Sequence, residues 1–324
     1  MKRDKLTFLI AELILIVLAA FFIHKIFQED VAQKRVAVIL QNSGDTRWEG
    51  VINGLKQSAK TNNLHLIICN TDDIVSAQDE RELIEEQLEN DVDAFILCPA
   101  PGTDTKDMLD WLGEQKKPFV LLTEDVYTGE QPEASGYATV KPDNYQIGYT
   151  LGTQLITQDE DGLKGKRIGV IAGRSKTEAS VNRIQGLKDA LEKQDCEIAW
   201  EYNEESDTDI GAVVDAQESV DYMVVMDTQA LDTLGEHAEN GVYKDAKIFG
   251  VGTSMKSIAL LDAGQVQCLV IPDGYGIGYE SVEEIEKELT RTFYTLKSHE
   301  KEVKVIYKED LFSDEIERFL YSYE

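Results

Sequence analysis

Several kinds of functional residue are scarce in this 324-residue chain. It has four cysteines without a C-x-x-C pair and four histidines without the spacing of metal ligands. It also has no glycine-rich phosphate-binding fingerprint. Ser43 and Ser175 lie in predicted strand-end loops, but no histidine is placed to activate either of them. We therefore predict a protein that is not an enzyme and that uses no cofactor and no metal.

Basic residues are also few. Lys and Arg number 32 against 61 Asp and Glu, so the formal net charge is -29. Such a surface repels nucleic acid and anionic lipid over most of its area, and we expect no nucleic-acid partner. The cysteines fall at strand positions, where they usually behave as small buried hydrophobes, so we expect four free thiols.

The amino terminus contains the longest apolar run of the chain. Residues 6–23, LTFLIAELILIVLAAFFI, approach the roughly 20 residues that cross a bilayer as a helix. Three of the five residues before this run are basic, which retains the amino terminus in the cytoplasm. We predict a cytoplasmic tail (1–5), a transmembrane signal anchor (6–27) and a stalk (28–33). The protein would then be a single-pass cell-membrane protein whose C-terminal domain is extracytoplasmic.

Two features of this anchor leave alternatives open. No small-residue cleavage site and no lipid-attachment cysteine follow the apolar core, so we interpret the segment as uncleaved, with late cleavage near Ala32 as the alternative. Glu12 is a costly carboxylate within the predicted span. It either contacts a basic residue of a membrane partner or lies near the cytoplasmic interface.

The first strand, loop and helix of the domain give the clearest local prediction. Val36–Leu40 is an unbroken apolar run, typical of a strand buried on both faces, and an amphipathic helix follows the loop 41–47. Open α/β sheets bind ligands at the carboxyl ends of such strands. Asp45, Arg47 and Trp48 offer a carboxylate, a guanidinium and an aromatic face, which together suit a polyol. In the alternative interpretation, Trp48 is a core residue and the charges are solvated.

Strands and helices alternate in two similar series. KRIGVIAG, at 166–173, echoes KRVAVIL, at 34–40. This pattern predicts two α/β lobes with largely parallel sheets and a ligand cleft between their strand ends. The predicted strands are 64–70 (buried), 93–100, 118–125, 135–140, 166–173, 196–202, 221–227, 246–252 and 266–272, with helices 76–88, 108–115, 145–158 and 180–193.

The order of these elements and three motifs resemble the type I periplasmic binding protein family, in particular its ribose- and galactose-type sugar receptors. The motifs are PDNYQIGYTLG (142–152), NRIQGLKDAL (182–191) and the segment 249–278 with its Gly-rich strand and PDGYGIG end. The resemblance covers about residues 34–307. It implies an α/β fold of two doubly wound parallel-sheet lobes joined by a three-strand hinge, and the apolar run at 6–23 predicts that one transmembrane helix precedes them. Lobe 1 would comprise 34–141 plus 273–305, and lobe 2 would comprise 142–272 plus 306–324.

The resemblance also implies candidate site residues. The three crossings would lie near Lys141, Pro272 and Val305. Where the family places polar ligand contacts in its second lobe, this chain has Val181, Met226, Gly252 and Pro272, so we expect a mostly apolar second-lobe wall. The implied ligand-binding residues are Gln41, Asp45, Arg47, Trp48, Thr123, Glu124, Asp125, Asp227 and Asp273, and the implied hinge residues are Lys141, Asp143, Asn144 and Pro272.

Two functional hypotheses follow. In the first, a membrane-anchored extracytoplasmic substrate-binding protein closes two lobes on a small, polar, sugar-like ligand and acts as a co-receptor for a membrane sensor such as a sensor kinase. In the alternative, the protein is the solute-binding subunit of an ABC-type sugar importer and delivers ligand to a permease. The predicted anchor, Glu12 and the altered second lobe favour the first hypothesis.

Overall fold

A computed structural model describes residues 12–19, 33–72, 74–129, 133–159, 162–204, 209–238, 242–243 and 245–321. The chain forms two compact units, 1–34 and 35–324. In the first unit, the described residues 12–19 are helical with exposed side chains, and Glu12 is the first of them. The rest of the predicted anchor and stalk, up to residue 32, lies outside the described residues. No described helix is both long and apolar enough to span a membrane.

The second unit alternates strands and helices. In chain order these are β1 (Arg35–Ile39), α1 (Glu49–Thr61), β2 (His65–Ile68), α2 (Ala77–Glu89), β3 (Ala94–Leu97), α3 (Thr105–Glu114), β4 (Phe119–Leu122), β5 (Thr139–Pro142), α4 (Asn144–Gln158), β6 (Arg167–Arg174), α5 (Glu178–Leu191), β7 (Glu197–Glu204), α6 (Ile210–Ala216), β8 (Tyr222–Val225), α7 (Thr228–His237), β9 (Val242–Tyr243), β10 (Ala246–Val251), α8 (Met255–Asp262), β11 (Cys268–Pro272), α9 (Gly274–Thr290), β12 (His299–Lys301), β13 (Val303–Ile306) and α10 (Asp314–Tyr321).

The strands form two sheets with the same topology, which confirms the prediction of two α/β lobes. The first sheet has the order β12-β5-β4-β3-β1-β2 and the second has the order β13-β11-β10-β8-β6-β7. All neighbours in the first sheet are parallel. In the second sheet β13 and β9 are antiparallel, so that sheet is mixed. The remaining strands of each sheet are parallel. Their carboxyl ends, and the loops that follow, therefore lie at one edge of the sheet.

Helices cover both faces of each sheet. In the first lobe α1 and α9 pack on one face, with α2 and α3 on the other. In the second lobe α4 and α5 cover one face, opposite α6, α7, α8 and α10. Successive residues of β1 therefore enter different clusters, Val36 and Val38 on one side and Ala37 and Ile39 on the other. This arrangement confirms that β1 is buried on both faces, as its unbroken apolar run predicts.

The predicted strand at 64–70 differs from the structure. The observed strand, β2, is shorter and lies at the edge of its sheet, where His65 is exposed and the next three residues are only half-buried. The prediction of a buried strand was wrong because an apolar run does not reveal how many neighbours its strand has.

The four cysteines are free, as expected, and Cys69, Cys98 and Cys268 are buried.

The chain passes between the lobes three times. The first two passages lead from β5 into α4 and from β11 into α9, at the positions expected for Lys141 and Pro272. The third lies at Glu302, between β12 in the first sheet and β13 in the second. It was expected near Val305, but that residue already pairs with Val270 in the second sheet. The carbonyl of Glu302 accepts a hydrogen bond from the Asp273 amide (3.0 Å), which joins two of the passages.

The helix pair α4 and α5 packs unusually closely. A Cβ atom placed on Gly148 would lie 1.8 Å from the carbonyl oxygen of Arg183, and one on Gly186 would lie 2.0 Å from that of Tyr145. Both positions therefore require glycine, because only a missing side chain lets the two backbones approach this far.

We expect Gly148→Ala to lower the free energy of unfolding by about 1–3 kcal/mol, since the helices must separate. Gly113→Ala is the control, because a Cβ there meets no atom within 4 Å. That change is expected to raise stability slightly, by up to about 1 kcal/mol, as alanine favours helix. Urea unfolding measures the free energy of unfolding of both variants. An equal change in the two variants would contradict the close packing.

A buried carboxyl group supports the loop after β3. Glu80, on α2, is fully buried, and its Oε2 accepts a hydrogen bond from the Ala100 amide (2.8 Å). Its Oε1 has no hydrogen-bond partner among the described residues. Burial raises the pKa of Glu80 from 4.5 to about 8, since the charged form is poorly solvated there.

Glu80 should make stability depend on pH. Between about pH 4.5 and 8 the native state holds a proton that the unfolded state releases, so the free energy of unfolding falls as pH rises, by at most about 1.4 kcal/mol per pH unit. We expect Glu80→Gln to flatten this slope, and Glu85→Gln, on the exposed side of the same helix, to leave it unchanged. Denaturant unfolding at pH 5 and pH 8 measures the slope, and a Glu80→Gln slope equal to that of the parent would contradict the assignment.

Candidate functional site

A cavity of about 410 Å³ lies where the carboxyl ends of the two sheets face each other. This volume is within the range of small-molecule sites, about 300–1,000 Å³. Both lobes and the strand crossings contribute to its lining. The polar and aromatic lining residues are Gln41, Asn42, Arg47, Trp48, Glu49, Thr123, Glu124, Arg174, Thr177, Ser180, Arg183, Asp227, Thr228, Gln229, Thr253, Asp273, Tyr275 and Phe319.

The loop after β1 places a guanidinium group between carboxylates of the two lobes. The Asp45 side chain accepts a hydrogen bond from the Arg47 amide (2.8 Å) and caps the short 3-10 turn that contains Arg47. The Arg47 guanidinium lies 3.7 Å from the Asp45 carboxylate and 3.7 Å from the Asp227 carboxylate of the second lobe. Arg47 thus faces the cleft with a charge partner on each side of it.

Trp48 serves both of the roles considered from the sequence. It is buried in the core cluster of the first lobe, and its indole N–H donates a hydrogen bond to the Gln41 carbonyl (2.8 Å). One part of the ring also lines the cleft, and the Arg47 guanidinium lies 5.3 Å from its centroid. The ring is therefore a core residue that presents a limited face to the cavity.

Direct contacts join the lobes across the cleft, so the structure is in a closed arrangement. Arg174 Nη1, at the end of β6, donates to Gln41 Oε1 (2.9 Å), at the end of β1. Between the loops after β3 and β6, the Gly102 amide donates to the Lys176 carbonyl (2.9 Å). Together with the ion pair of Arg47 and Asp227, these contacts depend on closure because their partners belong to different lobes.

The loop after β4 brings a buried acid to the second lobe. Glu124 is buried, and its Oε2 accepts a hydrogen bond from the Ala179 amide in the first turn of α5 (3.1 Å). Burial raises the pKa of Glu124 to about 7. The preceding residue, Thr123, has a left-handed backbone (φ +68°), which is uncommon for a β-branched residue and typical of functional loops.

A second buried carboxylate, that of Glu178, lies beside the first crossing. It accepts hydrogen bonds from Lys141 Nζ (2.5 Å), Asn144 Nδ2 (3.0 Å) and the Asp125 amide (3.2 Å). Asn144 also accepts from Arg183 Nε (3.0 Å), and Arg183 Nη1 donates to the Met226 carbonyl (2.7 Å). Burial lowers the pKa of Arg183. This network links the hinge to the floor of the cleft.

The structure brings most of the predicted ligand-binding residues to the cleft. Asp45 and Asp125 do not line it: Asp45 caps the turn before α1, and Asp125 accepts from the Val126 and Ser135 amides of its own loop. Those that line the cleft are Gln41, Arg47, Trp48, Thr123, Glu124, Asp227 and Asp273.

Two of the lining carboxylates also cap helices. One oxygen of Asp227 accepts from the Gln229 and Ala230 amides at the start of α7. Asp273 accepts from the Gly276 amide (2.7 Å) at the start of α9. Each therefore has a second oxygen that does not take part in the cap.

The predicted hinge residues lie at the crossings. Pro272 ends β11 and lines the cleft, Asp143 caps α4, and Lys141 and Asn144 bond to Glu178. Asn144 is buried. The side chains at the first crossing therefore bond mainly to other protein groups.

Sequence reasoning missed most of the polar residues of the second-lobe wall, which lie beside apolar lining residues such as Met226, Val251 and Pro272. Val181 and Gly252 have no polar side chain, but other positions supply polar groups. A usable signal was present for one of them, because Arg174 follows the motif 166–173 as Gln41 follows the motif 34–40 that it echoes. The missed polar residues are Arg174, Thr177, Ser180, Arg183, Thr228, Gln229 and Thr253.

Among the described residues, one group outside the cleft has the composition of a metal site. The ligand atoms of Glu280, Glu284 and His299 lie within 4.8 Å of one another. However, Lys301 Nζ lies 3.1 Å from Glu280 and Lys287 Nζ lies 2.8 Å from Glu284. The carboxylates already have cationic partners, so this group is better described as an ion-pair network.

Comparison with solved structures shows the same fold in several proteins, two of which are described as binding sugars. A carbohydrate transporter solute-binding protein from Agrobacterium radiobacter, in complex with D-arabinose, aligns with a TM-score of 0.78 at 13% identity, over 90% of this chain and 100% of that one. GanP, a glucose-galactose binding protein from Geobacillus stearothermophilus, gives 0.72 at 17% identity, over 87% and 99%. XylFII in its complex with LytSN gives 0.72 at 16% identity, over 86% and 99%.

The sequence itself identifies the family. No curated protein matches the chain. A family model described as a periplasmic binding protein domain matches residues 36–290, which is well over half of the chain and includes both halves of the cleft. The protein therefore belongs to the periplasmic binding protein domain family.

Proposed function

We propose that this protein binds a monosaccharide or a closely related polyol between its lobes and closes on it. The observation that supports this most directly is the Arg47 guanidinium, which lies between the Asp45 and Asp227 carboxylates at the junction of the lobes. Charged donors and acceptors of this kind bind hydroxyl groups strongly, and the exposed face of Trp48 suits the C–H face of a sugar ring.

The chemistry of the lining supports a neutral, hydroxyl-rich ligand. The cleft presents both cationic donors and anionic acceptors, and the two signs are nearly balanced, since three arginines and four acidic residues line it. A strongly charged ligand would lie next to several lining groups of its own sign and would be repelled by them. D-Arabinose and glucose or galactose are the ligands named for two proteins of the same fold, and we propose the same class here.

Thermal unfolding of the full-length chain in detergent, against pentoses, hexoses, nucleosides and polyols, tests the ligand class. A ligand at about a hundred times its Kd stabilises the native state by roughly 2.7 kcal/mol, so we expect a rise of a few degrees in Tm with one class of sugar. No shift with any member of the panel would overturn the proposal.

Arg47→Ala tests the loop after β1. We expect the affinity for the sugar found in the panel to fall by about 1.5–3 kcal/mol, because hydrogen bonds from a charged donor are lost. Arg81→Ala is the control, since that arginine pairs with Glu85 on the exposed side of α2. Titration calorimetry measures both, and an unchanged affinity of Arg47→Ala would remove this loop from the site.

We further propose that the closed form is recognised by a membrane sensor for which this chain is an anchored co-receptor. The predicted anchor, 6–27, and its Glu12 carboxylate support this role, since a basic residue in a partner helix would relieve the cost of that charge. XylFII, which has the same fold, is known in complex with LytSN. Closure would be the signal, because a partner distinguishes the two arrangements by its differential affinity for them.

The alternative role is that of the solute-binding subunit of a sugar importer, as the Agrobacterium radiobacter protein is described. Removing the gene from the source cells separates the two roles. We expect loss of sugar-induced transcription while uptake of the radiolabelled sugar continues. Glu12→Leu should retain sugar binding but lose the transcriptional response. Loss of uptake with an intact response would favour the importer.

A further inference from the structure

The cavity between the lobes has an apolar part in the second lobe that the proposed sugar contacts do not use. Five of its lining residues there have hydrocarbon or thioether side chains, which offer no strong hydrogen-bond donor or acceptor. They come from the start of α8, the end of β11 and the last turn of α10. We call these five residues, Met255, Ile258, Ile271, Phe319 and Leu320, the apolar compartment.

The strand order of the second sheet separates this compartment from the charged part of the cavity. Arg174 ends β6 and Asp227 follows β8, whereas the compartment lies at the carboxyl ends of β10 and β11. These strands follow one another in the order β11-β10-β8-β6 with a spacing of about 4.8 Å, so β11 lies about 14 Å from β6. The second-lobe wall is therefore charged on one side and apolar on the other.

Two polar lining residues are close to the compartment in sequence, and both have partners. Thr253 Oγ1 lies 3.2 Å from Thr228 Oγ1 and donates to the Arg47 carbonyl (3.3 Å). Asp273 accepts from the Gly276 amide (2.7 Å) with one carboxylate oxygen, and its other oxygen does not take part in that cap. Asp273 can thus accept a sugar hydroxyl, whereas the side chains of the apolar compartment offer no comparable group.

Packing fixes the walls of the apolar compartment. Ile271 and Leu320 belong to a core cluster of the second lobe, and Ile258 and Phe319 pack against that cluster. Lys304 Nζ lies 4.9 Å from the centroid of the Phe319 ring. The side chains that line the compartment are therefore held by contacts within their own lobe.

A buried hydrogen-bond network fixes the start of α8. The Ser254 hydroxyl caps this helix by accepting from the Ser257 amide (2.9 Å), and it donates to the Asp232 carboxylate on α7 (2.6 Å). All three residues are buried. Met255, the next residue, is 49% exposed and lines the cavity. The compartment is thus a built part of the lobe, with Met255 at its open side.

A free monosaccharide does not match this wall. Its hydroxyl groups surround the ring, so one that faced the apolar compartment would lose its hydrogen bonds to water without gaining a partner. A carbon substituent on that hydroxyl removes the mismatch and buries apolar surface, which stabilises the complex. A nucleoside matches less well, because the N–H and C=O groups of its base would also lack partners there.

We propose that the ligand is a monosaccharide with an apolar substituent, an alkyl or aryl glycoside, whose substituent occupies the apolar compartment. Its sugar part is that of the proposed function, on which this assignment rests. One continuous cavity contains both the charged groups and the compartment, so a single molecule can reach both. The compartment would then select glycosides over the corresponding free sugars.

Titration calorimetry with matched sugars tests this ligand class. The full-length chain, in a detergent without a sugar headgroup, is titrated with D-glucose, D-galactose, D-xylose and D-arabinose, with the methyl and phenyl glycosides of each in both anomers, and with adenosine and uridine. For the sugar that binds, we expect one phenyl glycoside to bind at least about tenfold more tightly than the free sugar, because burial of the ring adds to the affinity. The methyl glycoside should lie between them.

Met255→Gln tests the apolar compartment itself. A polar side chain of similar length should reduce the preference for the phenyl glycoside over the free sugar from about tenfold to below about threefold. Met255→Leu should retain the preference, because it keeps an apolar side chain of similar volume. Phe312→Gln is the control for an exposed apolar residue. Phe312 is 76% exposed and is not among the lining residues, so neither affinity should change.

The outcomes separate this assignment from the proposed function. If a free sugar binds and none of its phenyl glycosides binds more tightly, the glycoside assignment is overturned and the proposed sugar site stands. If neither the sugars nor the glycosides bind, both are overturned. A nucleoside that binds more tightly than every phenyl glycoside, or a preference that Met255→Gln leaves unchanged, also overturns the glycoside assignment.

Discussion

The two lobes are joined around one buried charge, the Glu178 carboxylate. A carboxylate out of water costs several kcal/mol unless a cation and further donors surround it. Here the cation is Lys141, on the strand that makes the first crossing, and further donors come from Asn144 and from the Asp125 amide. These groups belong to both lobes and to the crossing itself. The stabilisation of the Glu178 charge therefore requires the hinge strand, the start of α4 and the loop after β4 to keep their positions around it.

This constraint extends into the cleft through Asn144. Its amide group donates to Glu178 and its carbonyl accepts from Arg183, whose guanidinium in turn bonds to the Met226 carbonyl at the end of β8. Each step joins a polar side chain to a partner that is itself fixed by packing. A ligand in the cleft would thus meet donors held in position before it arrives, which reduces the entropy lost on binding.

The sequence contains a repeat that explains why the two crossings look alike. PDNYQIGY at 142–149 and PDGYGIGY at 272–279 share the pattern P-D-x-Y-x-I-G-Y. In each copy the aspartate caps the following helix, and the glycine lets that helix approach a neighbour, as Gly278 does where a Cβ would lie 2.1 Å from the Val51 carbonyl. The two tyrosines of each copy stack, with centroids 6.2 and 6.0 Å apart. The same local chemistry therefore anchors one crossing helix in each lobe.

The apolar runs and the turn residues between them were sufficient to predict the two lobes. Burial on both faces of a parallel sheet leaves unbroken apolar runs such as Val36–Leu40. The prediction was weaker where a property depends on neighbours. The edge position of β2 and the transfer of Val303–Ile306 to the second sheet depend on strand pairing, which no local pattern encodes. Arg174, Arg183 and Glu178 could not be assigned for a similar reason, since their roles arise from partners 34 or more residues away.

The contacts that depend on closure are individually weak, and this determines how the protein responds to a ligand. The pair of Arg47 and Asp227 is partly exposed and 3.7 Å apart, a geometry that contributes about 0–1 kcal/mol. The hydrogen bonds of Arg174 and of Gly102 contribute roughly 0.5–1.5 kcal/mol each, because water replaces them when the lobes open. Moving a two-state equilibrium from mostly open to mostly closed needs about 5.5 kcal/mol of differential affinity. A sugar with several hydroxyl groups bonded to both lobes supplies that amount, whereas the Glu178 network, close to the crossings where displacement on opening is smallest, keeps the hinge intact in both states.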